Sequence, residues 1–190
     1  MSRIATKRLT KELTELQTAG CPTGCRILQA DNLEEWIIAL RVLGDETVYA
    51  GEEFALRFRF TPGYPIDSPE VTFVVSPEWK PPVHPHVYGN GHICASVLGS
   101  GWSPVLNVQS LLLTMQSMLA SCRKKELPPD NDRFVSLEPS VSLEPSLPSP
   151  TSVPPAFYAS CLVLSIRYSI IRNAPRSPKD TRWAYHDDTV

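Results

Sequence analysis

From Glu53 to Phe60 every second side chain is large and apolar: Phe54, Leu56, Phe58 and Phe60 alternate with Glu53, Ala55, Arg57 and Arg59. An extended chain points successive side chains to opposite faces, so this run reads as a strand with one face on a core. Two neighbouring runs share the pattern: Glu35–Arg41, with Trp36, Ile38 and Leu40 on one side, and Val71–Val75, with Val71, Phe73 and Val75. A weaker strand near Cys25–Gln29 leads in. Gly44-Asp45, Ala50-Gly51 and the Thr61–Pro69 loop supply turn chemistry between the runs. Connectors this short suit an antiparallel meander; parallel pairing needs long crossovers.

The apolar face of such a sheet needs a cover. Residues 3–18 read as an amphipathic helix: Leu9, Leu13 and Leu16 share a face, Lys7, Lys11, Glu12 and Glu15 lie elsewhere, and Gly20 is the stop. Asn107 caps a second helix with Val108, Leu111, Leu112, Met115, Met118 and Leu119 on one stripe, which Cys122 extends. Arg123, Lys124 and Lys125 suit its last turn, and Leu127-Pro128-Pro129 ends it. The expected class is α+β: a four-stranded antiparallel meander with one helix before it and one after an irregular loop. Nothing after Pro129 shows a helical period with good caps, so no further C-terminal helices are expected.

That loop, residues 76–104, is rich in Pro, Gly, His and Asn, and a long irregular stretch in a compact domain is usually functional or disordered. It holds His84-Pro85-His86-Val87-Tyr88-Gly89-Asn90-Gly91-His92-Ile93-Cys94. A lone cysteine with little apolar sequence around it is expected to be exposed, and a nearby histidine or backbone amide favours the thiolate. Cys94 is therefore a candidate nucleophile, with a buried structural cysteine as the alternative. His84, His86, His92 and Cys94 also offer four zinc ligands, but their spacing fits no closed zinc module, so no metal is expected. Cys21 and Cys25 are separated by three residues rather than two and read as a turn.

Charge and cysteine usage exclude other classes. A net charge of −2 argues against nucleic acid. The five cysteines, odd in number and irregularly spaced, do not form a disulfide framework. The start has no apolar secretory core. A reducing compartment, cytoplasmic and nuclear, is the expectation. The apolar run 156–171 is shorter than the ~20 residues of a membrane span and is broken by Arg167, so no membrane is expected.

The chain resembles ubiquitin-conjugating enzymes. These carry a His-Pro-Asn tripeptide with the thioester cysteine eight residues on; here His84-Pro85-His86 stands eight residues before Cys94. Gly91 and Ile93 match the approach to that cysteine, Trp102-Ser103-Pro104 the loop after it, and Tyr64-Pro65-Ile66 with Pro69 the loop between strands. His86 in place of Asn, and the ending Trp183–Thr189, are similar to the W-type. The resemblance spans residues 3–133 and resumes at about 173–190.

The resemblance implies that Cys94 accepts ubiquitin as a thioester and transfers it to amines, in the W-type to the α-amino group of a flexible N-terminus. His86 takes the place of an oxyanion donor or only staples the loop; His84, Pro85, Tyr88 and His92 shape it. Asp130 and Asn131 fall near an acidic gate position or form a solvated turn. Lys7, Arg8, Pro65, Ile66, Ser103, Pro104 and Val105 would meet the ubiquitin-activating enzyme and RING-type or U-box-type ligases, and Trp183, Tyr185, His186, Asp187 and Asp188 would select substrates. No cofactor is implied, ATP being used upstream by the activating enzyme. The rival readings are a lysine-directed enzyme, an inactive ubiquitin-pathway binding module and a zinc-binding adaptor.

Three regions follow. Residues 1–134 are the catalytic core and 173–190 the tail. Between them, 135–172 repeats VSLEPS in tandem and turns apolar, which reads as a disordered insertion or an unspliced intron.

Overall fold

The computed structural model describes residues 1–136. The chain runs α1 (Arg3–Thr18), β1 (Cys25–Gln29), β2 (Glu35–Arg41), β3 (Glu53–Arg59), β4 (Glu70–Phe73), a 3-10 turn (Ser96–Leu98), α2 (Val108–Ser121) and α3 (Asn131–Ser136). The four strands lie in chain order as an antiparallel meander. Their register aligns the apolar rows: Trp36 faces Phe58, Ile38 faces Leu56, Leu40 faces Phe54, and Phe73 and Val71 sit opposite Leu56 and Phe58. All eight are buried, and each such side chain contributes about 1.5–3 kcal/mol.

The helices close the other side of this core. The Ser2 hydroxyl accepts the Ala5 N–H at 3.2 Å to start α1, and Gly20, at φ +88, follows its end. Asn107 starts α2 through a reciprocal pair of bonds with Ser110. Val108, Leu111, Leu112, Met115 and Leu119 then enter the core.

Five expectations need correction. Val75 is 53% exposed, because β4 ends at Phe73 and the chain turns away, with Ser76 N–H bonded to Trp79 O. Helix α2 stops at Ser121, so Arg123, Lys124 and Lys125 lie beyond its last turn. Lys125 reaches back to pair with Glu52 and lies over the Tyr49 ring. Cys122 is the C-cap, half-buried, with its thiol donating to Lys124 O. Glu12 is not on the solvated face of α1; it is 4% exposed on the stripe Ala5, Leu9, Glu12, Leu16.

The fifth correction is α3. Six residues are too few for a helical period to be read, and α3 forms because Phe134 packs on Tyr88, ring centroids 4.3 Å apart. It runs through Val135 and Ser136, the first two residues of the segment set apart as an insertion. The rest of that segment and the tail with Trp183, Tyr185, His186, Asp187 and Asp188 lie outside the described residues. Among the described residues no helix is long and apolar enough to cross a membrane.

Candidate active site

The segment His84–Cys94 doubles back on itself as a hairpin built almost wholly from main-chain bonds. Val87 N–H donates to His84 O (3.0 Å), Tyr88 N–H to His92 O (2.9 Å), Gly91 N–H to Tyr88 O (2.9 Å) and Cys94 N–H to His86 O (2.8 Å). The last bond sets His86 and Cys94 directly across the hairpin from each other. A further bond, Phe73 N–H to Gly91 O at 2.8 Å, fastens the hairpin to β4.

Gly91 is the residue that permits this. Its φ is +89, and a Cβ there would stand 2.1 Å from the Phe73 carbonyl oxygen, a backbone atom that cannot swing aside. Gly91→Ala is expected to destabilise the fold by at least about 2 kcal/mol, read as a lower denaturation midpoint.

Cys94 is 5% exposed, which corrects the expectation of an open thiol. Val87 and Ile93, both buried, flank it, so the hairpin supplies the apolar cover that the Gly- and His-rich composition conceals. Burial raises Cys21, and burial together with Cys21 pushes Cys25 up to about 11. Their segment is the expected turn, with Cys25 N–H bonded to Pro22 O at 2.9 Å.

The histidines divide by role. His84 is buried, and its Nδ1 accepts the His86 N–H at 2.9 Å. Burial lowers its imidazole to about 4, His86 nearby adds to the fall, and a hydrogen bond to the Met118 backbone opposes it. His84 is thus a neutral acceptor holding the loop at physiological pH. His92 is buried beside the Phe134 ring and is lowered to about 4 by burial and by Arg57. His86 is half-buried, and its main chain makes the bonds that place it. Pro85, half-buried, lies between the two. Among the described residues no three His, Cys, Asp or Glu side chains gather as metal ligands do.

Asp130 and Asn131 are more than a solvated turn. The Tyr88 hydroxyl donates to both Asp130 oxygens at 3.1 Å, and Gly89 N–H donates to Asn131 Oδ1 at 2.8 Å. Burial, then Asp130, then the nearby Cys94 hold the Tyr88 phenol far above its usual range, so it stays a donor. The start of α3 therefore holds the tip of the hairpin that carries Cys94.

The residues expected to meet partners gather on another face. Trp102 Nε1–H donates to Pro65 O at 2.9 Å, joining the loop of Ser103, Pro104 and Val105 to that of Pro65 and Ile66. Arg8 Nη2 donates to Leu106 O at 2.9 Å, bringing α1 and the exposed Lys7 alongside. Ile66 and Val105 project, 75% and 86% exposed. Glu12, which sequence reasoning missed, lies beneath this face. Its four-residue spacing from Arg8 and its place between Leu9 and Leu16 were the available signal.

Known proteins agree with this geometry. The ubiquitin-conjugating enzyme family model matches residues 8–140. A probable ubiquitin-conjugating enzyme E2 W of Dictyostelium discoideum is 41% identical over 190 residues, 100% of this chain and 99% of its own length. A probable ubiquitin-conjugating enzyme E2 W-A of Danio rerio is 39% identical over 186 residues, 96% of each chain. The crystal structure of ubiquitin-conjugating enzyme E2 UbcA1 from Agrocybe aegerita superposes with a TM-score of 0.70 at 52% identity, covering 74% of this chain and 98% of that one. On the match of the family model and of relatives aligned across nearly their whole length, the chain belongs to the ubiquitin-conjugating enzymes, which take up ubiquitin as a thioester and pass it on.

Proposed function

We propose that Cys94 carries the ubiquitin and that the amine it serves best is the α-amino group of a flexible protein N-terminus. The observation that carries this reading is the main-chain bond that sets His86 across from Cys94. Ubiquitin, an activating enzyme and ligases are the family's partners in general. The Cys94 thiolate attacks the thioester carbonyl held by the activating enzyme, and that enzyme's thiolate leaves. A neutral amine then attacks the new thioester, its proton is lost, and the Cys94 thiolate departs. In both steps negative charge gathers on the carbonyl oxygen, and an N–H of the His86 ring is the donor for it. His84 supports this by fixing the His86 backbone.

The amine preference rests on proton chemistry and on the E2 W relatives. At pH 7.4 an α-amino group of pKa about 7.7–8.0 is roughly a quarter neutral, against about 0.1% for a lysine near 10.4. An enzyme that supplies little help in deprotonation therefore favours α-amines. A preloaded thioester offered a flexible peptide with a free N-terminus is expected to discharge about 10²-fold faster than with an N-acetylated peptide bearing one lysine. Equal rates would point to a lysine-directed enzyme. The exposed Ile66 and Val105, with Lys7 of α1 alongside, suit a small transient interface of the kind the activating enzyme and RING-type or U-box-type ligases would make. Cytoplasmic and nuclear residence, with ATP consumed by the activating enzyme and no cofactor on this chain, completes the proposal.

A further inference from the structure

We infer that Glu12 is a positioning residue for partner docking: it locks α1, the Tyr64–Ile66 loop and the Trp102–Val105 loop into one surface, and so governs how well the activating enzyme engages the chain. This rests on the docking face proposed above. Glu12 lies on the buried stripe of α1, where a leucine would complete the apolar pattern. Both of its oxygens are used. Oε1 accepts from Arg8 Nε at 2.5 Å and from the Tyr64 hydroxyl at 2.7 Å, and Oε2 accepts from Val108 N–H at 2.9 Å.

Each partner comes from a different piece of that face. Arg8 is on α1 and donates onward to Leu106 O. Tyr64 is two residues before Ile66, and Val108 is three after Val105. Trp102 closes the circuit through Pro65 O. Val108 is the first residue of α2, whose unpaired N–H groups and dipole favour an anion there. Removing the carboxylate takes the acceptor from the Arg8 Nε–H, from the buried Tyr64 hydroxyl and from the Val108 N–H at once. A buried charge tied to three segments adds little to net stability compared with apolar packing, but it admits only one arrangement of them. Loops held in the docked arrangement lose less freedom on binding.

The test uses Glu12→Gln and Tyr64→Phe in the full chain, with the activating enzyme, ubiquitin and ATP. Gln keeps the size of Glu, and Phe keeps the Tyr64 ring against Phe60 and Trp102. For Glu12→Gln the KM for the chain in loading is expected to rise about ten-fold, with kcat and ligase-free discharge of the loaded thioester within about two-fold of the parent. Tyr64→Phe should raise KM by a smaller factor, and the double variant should fall short of the product of the two. An unchanged KM in a folded Glu12→Gln chain overturns the inference, as does a KM that changes only together with ligase-free discharge. If Glu12→Gln does not fold, Tyr64→Phe decides by the same readouts. Ile66→Ala and Val105→Ala separate the layers: if both leave KM unchanged, the docking face itself is misassigned; if they raise it while Glu12→Gln does not, only the inference fails.

Discussion

A Cys94→Ser chain incubated with activating enzyme, ubiquitin and ATP is expected to form an adduct that survives reducing agent, and a Cys94→Ala chain to form none. The serine oxygen makes an ester, which aminolysis attacks far more slowly than a thioester, so transfer to amines should fall by at least about 10³-fold. No described cysteine is placed to substitute. A thiol pushed up to about 11, as at Cys25, is less than about 0.1% thiolate at neutral pH, and Cys21 is raised as well. Cys122 caps α2 and its thiol lies 3.5 Å from the Tyr49 hydroxyl. Both changes leave the Cys94 N–H to His86 O bond intact, because it is made by the main chain. A Cys94→Ser chain that still loads reducibly and transfers at the parent rate would move the chemistry to another thiol.

The second large effect is expected at His86. His86→Ala should slow discharge of a preloaded thioester by about 10²–10³-fold, the loss of ~2.7–4 kcal/mol that follows removal of one oxyanion donor. The denaturation midpoint should barely move, since the bonds at His86 run through its N–H and C=O rather than through its ring. His86→Asn retains a side-chain N–H donor and should recover most of the rate. If the ring merely braces the loop, His86→Ala will lower stability and slow loading and discharge together, and His86→Asn will not restore the rate selectively.

The meander was legible because the central strands carry their large apolar side chains on one face: Trp36, Ile38 and Leu40 on β2, and Phe54, Leu56 and Phe58 on β3. Cys25–Gln29 and Glu35–Arg41 stand where the sequence places them, and the alternating Trp36, Ile38 and Leu40 all enter the core. Asn107 was legible as a cap because its side chain does what an N-cap asparagine does in any helix. What escaped depends on contacts between distant segments. Helix α3 exists through Phe134 on Tyr88 and through Asp130 and Asn131 on the hairpin tip, none of which shows as a local period. Glu12 reads as a solvated charge until Tyr64 and Val108, far along the chain, arrive to satisfy it. Cys94 looks exposed because a Gly- and His-rich segment does not announce that it will fold back by main-chain bonds. The site shows the same division. The identities and spacing of His84, His86 and Cys94 stand in the sequence, whereas the neutral, loop-holding state of His84 follows from its burial.

The claim that Cys94 is the acceptor is tested most directly by mass. The chain is charged with ubiquitin by the activating enzyme, quenched in acid, and its intact mass recorded before and after thiol treatment, with peptide mapping of the adduct. The account predicts one ubiquitin per chain, released by thiol and mapped to the peptide containing Cys94. An adduct on the peptide of Cys21, Cys25, Cys122 or Cys161, one that resists thiol, or no adduct on a folded chain would contradict it.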